Sequence, residues 1–189
     1  MDRHRLHAKN CVQPHSFFGN ALQAVQHQGA AQGFFFIAAT LLVWHRISSR
    51  VRRVLLTLGL AHGVGIVLVG IFHENSTVPL VMKVPHFIGA WAAIFGGNLI
   101  AVIVGAFGGR FSAPRAYRMA SLALGVVGIA AFAWLLADPV MMKTQGGLLE
   151  RVAGYAIVFW QAMTGAALLI AKALQHRRLA ARPTLLAAQ

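Results

Sequence analysis

Residues 85–107 read PHFIGAWAAIFGGNLIAVIVGAF. No Lys, Arg, Asp or Glu interrupts them, and at about 1.5 Å per residue a helix of this length covers the ~30 Å hydrocarbon core of a bilayer. Working outward, residues 54–72, 119–137 and 152–171 are just as free of charge, and residues 29–45 form a weaker block whose apolar core is 33–44. One helix of this kind can be buried inside a soluble protein of 189 residues. Four cannot, because too little polar surface remains to cover them. The chain therefore reads as all-α, a polytopic transmembrane helical bundle with five apolar spans at about 29–45, 54–72, 85–107, 119–137 and 152–171, each satisfying its own backbone hydrogen bonds. A membrane β-barrel would need period-2 alternation, which these continuous blocks lack. A polar segment, 1–28, precedes a single transmembrane domain at 29–172, and a basic tail, 173–189, follows it.

The composition agrees. Hydrophobic residues make up 58% of the chain and charged residues 11%, less than half the roughly 25% of a soluble domain. The apolar content excludes disorder, and the lone Cys11 excludes a disulfide scaffold. With 17 Lys and Arg against 4 Asp and Glu the net charge is +13, which would suggest nucleic acid if it formed one basic patch on a soluble surface. Instead it is sorted by loop. Arg46, Arg50, Arg52 and Arg53, then Arg110, Arg115 and Arg118, then Lys172, Arg177, Arg178 and Arg182 fall on one side; only Lys83, Lys143 and Arg151 fall on the other. Eleven against three places the C-terminus in the cytoplasm of a cell (inner or plasma) membrane. The expected electrostatic partner is anionic lipid at the cytoplasmic face, not nucleic acid. Five spans put the N-terminus outside, although residues 1–28 carry Arg3, Arg5 and Lys9 and no apolar run of signal-peptide type. Either a short basic tail is translocated or a preceding helix is missing. Trp44 suits a membrane boundary.

Small residues mark the expected helix contacts. Gly89, Ala93, Gly97, Ala101 and Gly105 recur every four residues, and Gly59 and Gly63 share the spacing. Such stripes let backbones approach closely, within one bundle or between copies in a homo-oligomer. Polar residues inside spans are costly without partners. His62, Asn98 and Gln161 fall near the centres of three spans, where they can hydrogen-bond one another as structural glue, worth about 0.6 kcal/mol per interhelical bond, or form the mid-membrane polar site of a small transporter. A second set gathers at the outer helix ends. His73, Glu74 and Asn75 end the second span, Pro85 and His86 open the third, Asp138 ends the fourth, and Glu150 and Arg151 open the fifth. Glu74 with Arg151 is the expected ion pair. This outward-facing surface could hold a lipid headgroup or other small ligand, with Glu74, Asn75, His86, Glu150 and Arg151 as the binding candidates and Arg151 meeting anionic oxygen. An enzyme reading competes with it: a metal-assisted hydrolase or redox protein using His73, His86 and Glu74. No HxxxH or HExxH pair fixes two ligands on one helix, so neither metal nor other cofactor is expected. Haem is disfavoured because His62 lacks a His partner at its depth, and no nucleophile lies beside a base and an orienting acid.

The run Gly65-Ile-Val-Leu-Val-Gly-Ile-Phe-His-Glu-Asn75, then His86-Phe-Ile-Gly89-Ala90 and Phe95-Gly-Gly-Asn98-Leu, resembles the prokaryotic membrane family called domain of unknown function 998. So does Glu150-Arg-Val-Ala-Gly-Tyr155 leading to Trp160-Gln161 and Gly165, with Asn20 and Gln32-Gly33 nearer the start. The resemblance covers roughly residues 15–172. It implies a six-helix bundle whose first helix is missing or replaced here by residues 1–28, and it implies that Glu74, His86, Asn98, Glu150, Arg151 and Gln161 belong together. It supplies no substrate.

Overall fold

The computed structural model describes residues 29–42, 49–72 and 79–186. The described residues are helical, apart from short connections. Helix α1 is Gly29–Leu42, α2 is Ser49–Ile71, α3 is Leu80–Phe107, α4 is Arg115–Ala137 and α5 is Pro139–Leu186. Stretches within α2, α3, α4 and α5 are long and apolar enough to cross a membrane: Arg53–Ile71, Lys83–Arg110, Arg115–Ala137 and Met142–Arg177. Large apolar side chains cover the outside, among them Phe35 at 76%, Phe159 at 65% and Trp134 at 55% exposure. In water that surface would drive aggregation; in lipid it is at equilibrium. The chain is a multi-pass helical membrane protein. The described helix α1 is shorter than a full span.

Consecutive helices are neighbours: α2 packs on α3, α3 on α4 and α4 on α5, and α3 also touches α5. Glycines set the spacing. A β-carbon on Gly65 of α2 would lie 2.5 Å from the Gly89 carbonyl oxygen of α3, and one on Gly33 of α1 would lie 2.6 Å from the Gly63 carbonyl oxygen of α2. The stripe Gly89/Ala93/Gly97/Ala101/Gly105 is consumed inside the chain. Each four-residue step advances about 40° around a helix, so the stripe winds from Gly65 of α2, beside Gly89, to Leu122 and Arg118 of α4, beside Gly105. Ala93 and Ala101 are buried along the way. Among the described residues these positions therefore make contacts within one chain.

Two helices begin earlier than the apolar blocks suggest. Helix α3 starts at Leu80 after Pro79, so Pro85 and His86 lie inside it and do not open it. Helix α5 starts at Pro139, so the expected outer loop 138–151 reduces to Asp138 alone. Asp138 Oδ1 accepts the Val140 backbone N–H at 2.8 Å, while Pro139, which has no N–H to satisfy, takes the first helical position. From there α5 runs antiparallel to α4. Gly146 lies beside Leu135, Trp160 bonds Ser121 and Thr164 bonds Tyr117. Glu150 and Arg151 are thus inside α5, alongside α4, and do not open the fifth helix. At 48 residues α5 is about 72 Å long, more than twice the hydrocarbon thickness.

At the other end of α4 the turn Gly108–Phe111 is followed by Ser112 in a left-handed conformation at φ 58°. Arg118 folds back over it, donating through Nε and a terminal nitrogen to the Gly105 and Ala106 carbonyls, both at 3.2 Å. A cation there satisfies carbonyls left open at the C-terminus of α3 and meets the negative end of its dipole.

Candidate functional site

Two of the three central polar residues meet. His62 is buried, with its Nδ1 2.6 Å from the Ala93 carbonyl oxygen and its Nε2 2.9 Å from Gln161 Nε2. Gln161 Oε1 in turn accepts from Gln32 Nε2 at 2.9 Å. The direction of this chain follows from chemistry. A carbonyl oxygen can only accept, so Nδ1 carries the imidazole proton; neutral Nε2 then accepts from the Gln161 amide, whose oxygen accepts from Gln32. Every member is oriented by the one before it, across α3, α2, α5 and α1. The glycines of α3 make the room, since a β-carbon on Gly97 would lie 2.7 Å from His62 Nδ1. From α1, the Phe36 ring packs on the imidazole at 4.5 Å between centroids, tilted by 73°.

Asn98 does not join them, contrary to the expectation of mutual bonding. One residue from Gly97, it points off another side of α3. Its Nδ2 donates to Ile94 O at 2.9 Å and to Ala153 O at 3.1 Å, tying α3 to α5. Its Oδ1 is buried and has no hydrogen-bond partner among the described residues, and it rests in the space that Gly128 leaves by having no side chain. The nearby polar contacts run from the buried Ser121 and Trp160 to the half-buried Tyr117 and Thr164. Trp160 Nε1 donates to Ser121 Oγ at 3.1 Å, and Ser121 donates to Tyr117 O at 2.8 Å. Thr164 donates to Trp160 O at 2.7 Å, which leaves the Tyr117 hydroxyl to donate to Thr164 at 2.9 Å.

The outer set is only partly in view. His73, Glu74 and Asn75 lie outside the described residues, as do Trp44 and 1–28. His86 pins α3 to the end of α2, with Nδ1 2.8 Å from the Phe72 carbonyl oxygen. Glu150 and Arg151 are both exposed, and they sit along α5 instead of at its start. Among the described residues, no three His, Cys, Asp or Glu side chains gather closely enough to hold a metal ion.

The His62 chain, unlike the Asn98 amide, leads outward to a polar group with hydrogen-bonding capacity to spare. Gln32 is exposed on α1 and Gln161 is half-buried on α5, and both line an open groove of about 610 Å³ between these helices. Phe35, Ala39, Gly165 and Leu168 give it an apolar wall. A β-carbon on Gly165 would meet nothing within 4 Å. Among the described residues the Gln32 amide bonds only Gln161, which leaves its oxygen and one N–H at this groove. Gln32 entered the sequence reading only through Gln32-Gly33; a lone amide in the weakest apolar block was the available signal. Comparison with known proteins finds no matching family model, no matching curated protein and no matching solved structure.

Proposed function

We propose that this is a five-span membrane protein, with its C-terminus in the cytoplasm, that binds a single-chain amphiphile from the lipid phase in the groove between α1 and α5. The apolar chain lies along Phe35, Ala39, Gly165 and Leu168, and the headgroup hydrogen-bonds the Gln32 amide. The observation that carries this reading is the oriented chain Gln32–Gln161–His62–Ala93 O, which ends at the groove. A ligand site needs a few placed polar groups in a largely apolar concavity, and a polar network held at one end by backbone provides them. The reading places binding at mid-membrane, within the bundle, in preference to the outer surface of Glu74, Asn75, His86, Glu150 and Arg151. It is a binding function, with no reacting bond assigned. The resemblance to the domain of unknown function 998 family belongs to the same reading and would make α1–α5 the later helices of a six-helix plan.

The test is photolabelling of the full-length protein in lipid nanodiscs with a diazirine-bearing decanol. Label should concentrate on the α1 and α5 segments around Phe35, Ala39 and Leu168, and Gly165→Leu, which fills open space, should remove most of it. Equal labelling of the exposed α4 face around Val126 and Trp134 would defeat the groove as a site.

A further inference from the structure

The chain Gln32–Gln161–His62 has a second arrangement with the same heavy-atom positions. If His62 takes a proton on Nε2, that nitrogen becomes a donor facing the Gln161 NH2, and the contact is lost unless the amide turns over. When Gln161 rotates by half a turn, its oxygen accepts from His62 Nε2–H and its NH2 faces Gln32, which must rotate likewise. Both links are 2.9 Å long, and exchanging N for O at either leaves the spacing suitable for a hydrogen bond. Nδ1 keeps its proton and its bond to Ala93 O throughout. At the groove the outcome is an inversion: Gln32 presents an oxygen and one N–H when His62 is neutral, and two N–H donors when His62 is charged.

We infer that the α1–α5 groove takes a single-chain amphiphile with an anionic headgroup, a carboxylate in the first instance, together with one proton that resides on His62. This rests on the groove being a ligand site and adds the charge class of the ligand. The proton comes from solution and goes to His62 Nε2, the headgroup stays deprotonated and accepts from the Gln32 N–H groups, and the ligand and imidazolium charges cancel. The cancellation matters because an isolated charge at this depth is expensive, so each partner makes room for the other. The groups facing the imidazole are Phe36 of α1, Ala93, Gly96 and Gly97 of α3, and Gln161 of α5. None of these is titratable, so among the described residues no fixed charge at the ring competes with the ligand for this role. Linkage is reciprocal: the ligand favours the protonated ring, and the protonated ring favours the ligand.

The experiment uses full-length protein in nanodiscs and two probes, decane-1-sulfonate, which cannot carry its own proton, and decanol, which is neutral. Calorimetric titration in two buffers of different ionisation heat counts protons. Decanesulfonate should bind with uptake of one proton, its affinity falling about tenfold between pH 7 and pH 8, above the ordinary histidine value of about 6.5. Decanol should bind with no proton uptake. His62→Gln should abolish the uptake. Gln32→Leu, at an exposed position, gives the same reading should the buried change prevent folding. Decanesulfonate binding without proton uptake, or uptake that survives in both variants, overturns the relay. Decanol binding with no sulfonate binding at either pH overturns the anionic ligand and leaves the groove; failure of both probes to bind removes the groove as well.

Discussion

The bundle holds two polar seams of similar composition, and they end differently. Around Asn98 the amide bonds carbonyls of α3 and α5, and Ser121, Trp160, Tyr117 and Thr164 bond to one another or to carbonyls, so that Thr164 is already hydrogen-bonded where it meets the groove. Around His62 the polar groups form a line that leaves the core at Gln32. The space beside the two amides differs as well. Gly128 is filled by the Asn98 side chain, whereas Gly165 faces empty space. Polar residues in hydrocarbon hold helices together wherever they are enclosed; they become a site where the enclosure is left open.

Substitutions can break this contrast. The largest expected effect is Gly128→Ala, whose β-carbon collides with Asn98; it should lower stability by about 1–3 kcal/mol in thermal unfolding followed by tryptophan fluorescence. Asn98→Ala removes two interhelical or local bonds of about 0.6 kcal/mol each, so it should cost about 1 kcal/mol and leave decanol photolabelling of α1 and α5 intact. Lost labelling at unchanged stability would make the Asn98 seam the functional one. Trp160→Phe deletes a single bond to Ser121, for which a loss of about 0.6 kcal/mol is expected. The smallest effect belongs to Gly165→Ala, where an added methyl meets no neighbour and a helical glycine is lost. Stability should stay level or rise by up to about 1 kcal/mol, and a drop comparable to that of Gly128→Ala would mean that the groove is closed.

The helical membrane architecture was legible because hydrocarbon length and charge exclusion are properties of residues in sequence. Residues 54–72 and 119–137 end within a residue of α2 and α4. Where helices begin was less legible, because polar residues extend a helix beyond the apolar block. The pair Asp138-Pro139 carried the cap signal for α5 and was passed over for the charges at Glu150 and Arg151. At the site, shared depth correctly grouped His62 with Gln161 but wrongly added Asn98. Depth along the axis says nothing of azimuth, and successive residues of a helix point about 100° apart, so Gly97 faces His62 while Asn98 faces Gly128 and Ala153. Gln32 was hidden for a related reason, since its importance depends on α1 lying across from α5.

The direction of the Gln32–Gln161–His62 hydrogen-bond chain decides what the groove presents, and nitrogen NMR of the His62 ring reads it without any ligand. In bilayers near pH 8 the spectrum should show a neutral ring with its proton on Nδ1 and a bare, hydrogen-bond-accepting Nε2. A ring protonated at Nε2 with bare Nδ1 would break the bond to Ala93 O, reverse the Gln161 and Gln32 amides, and contradict the account.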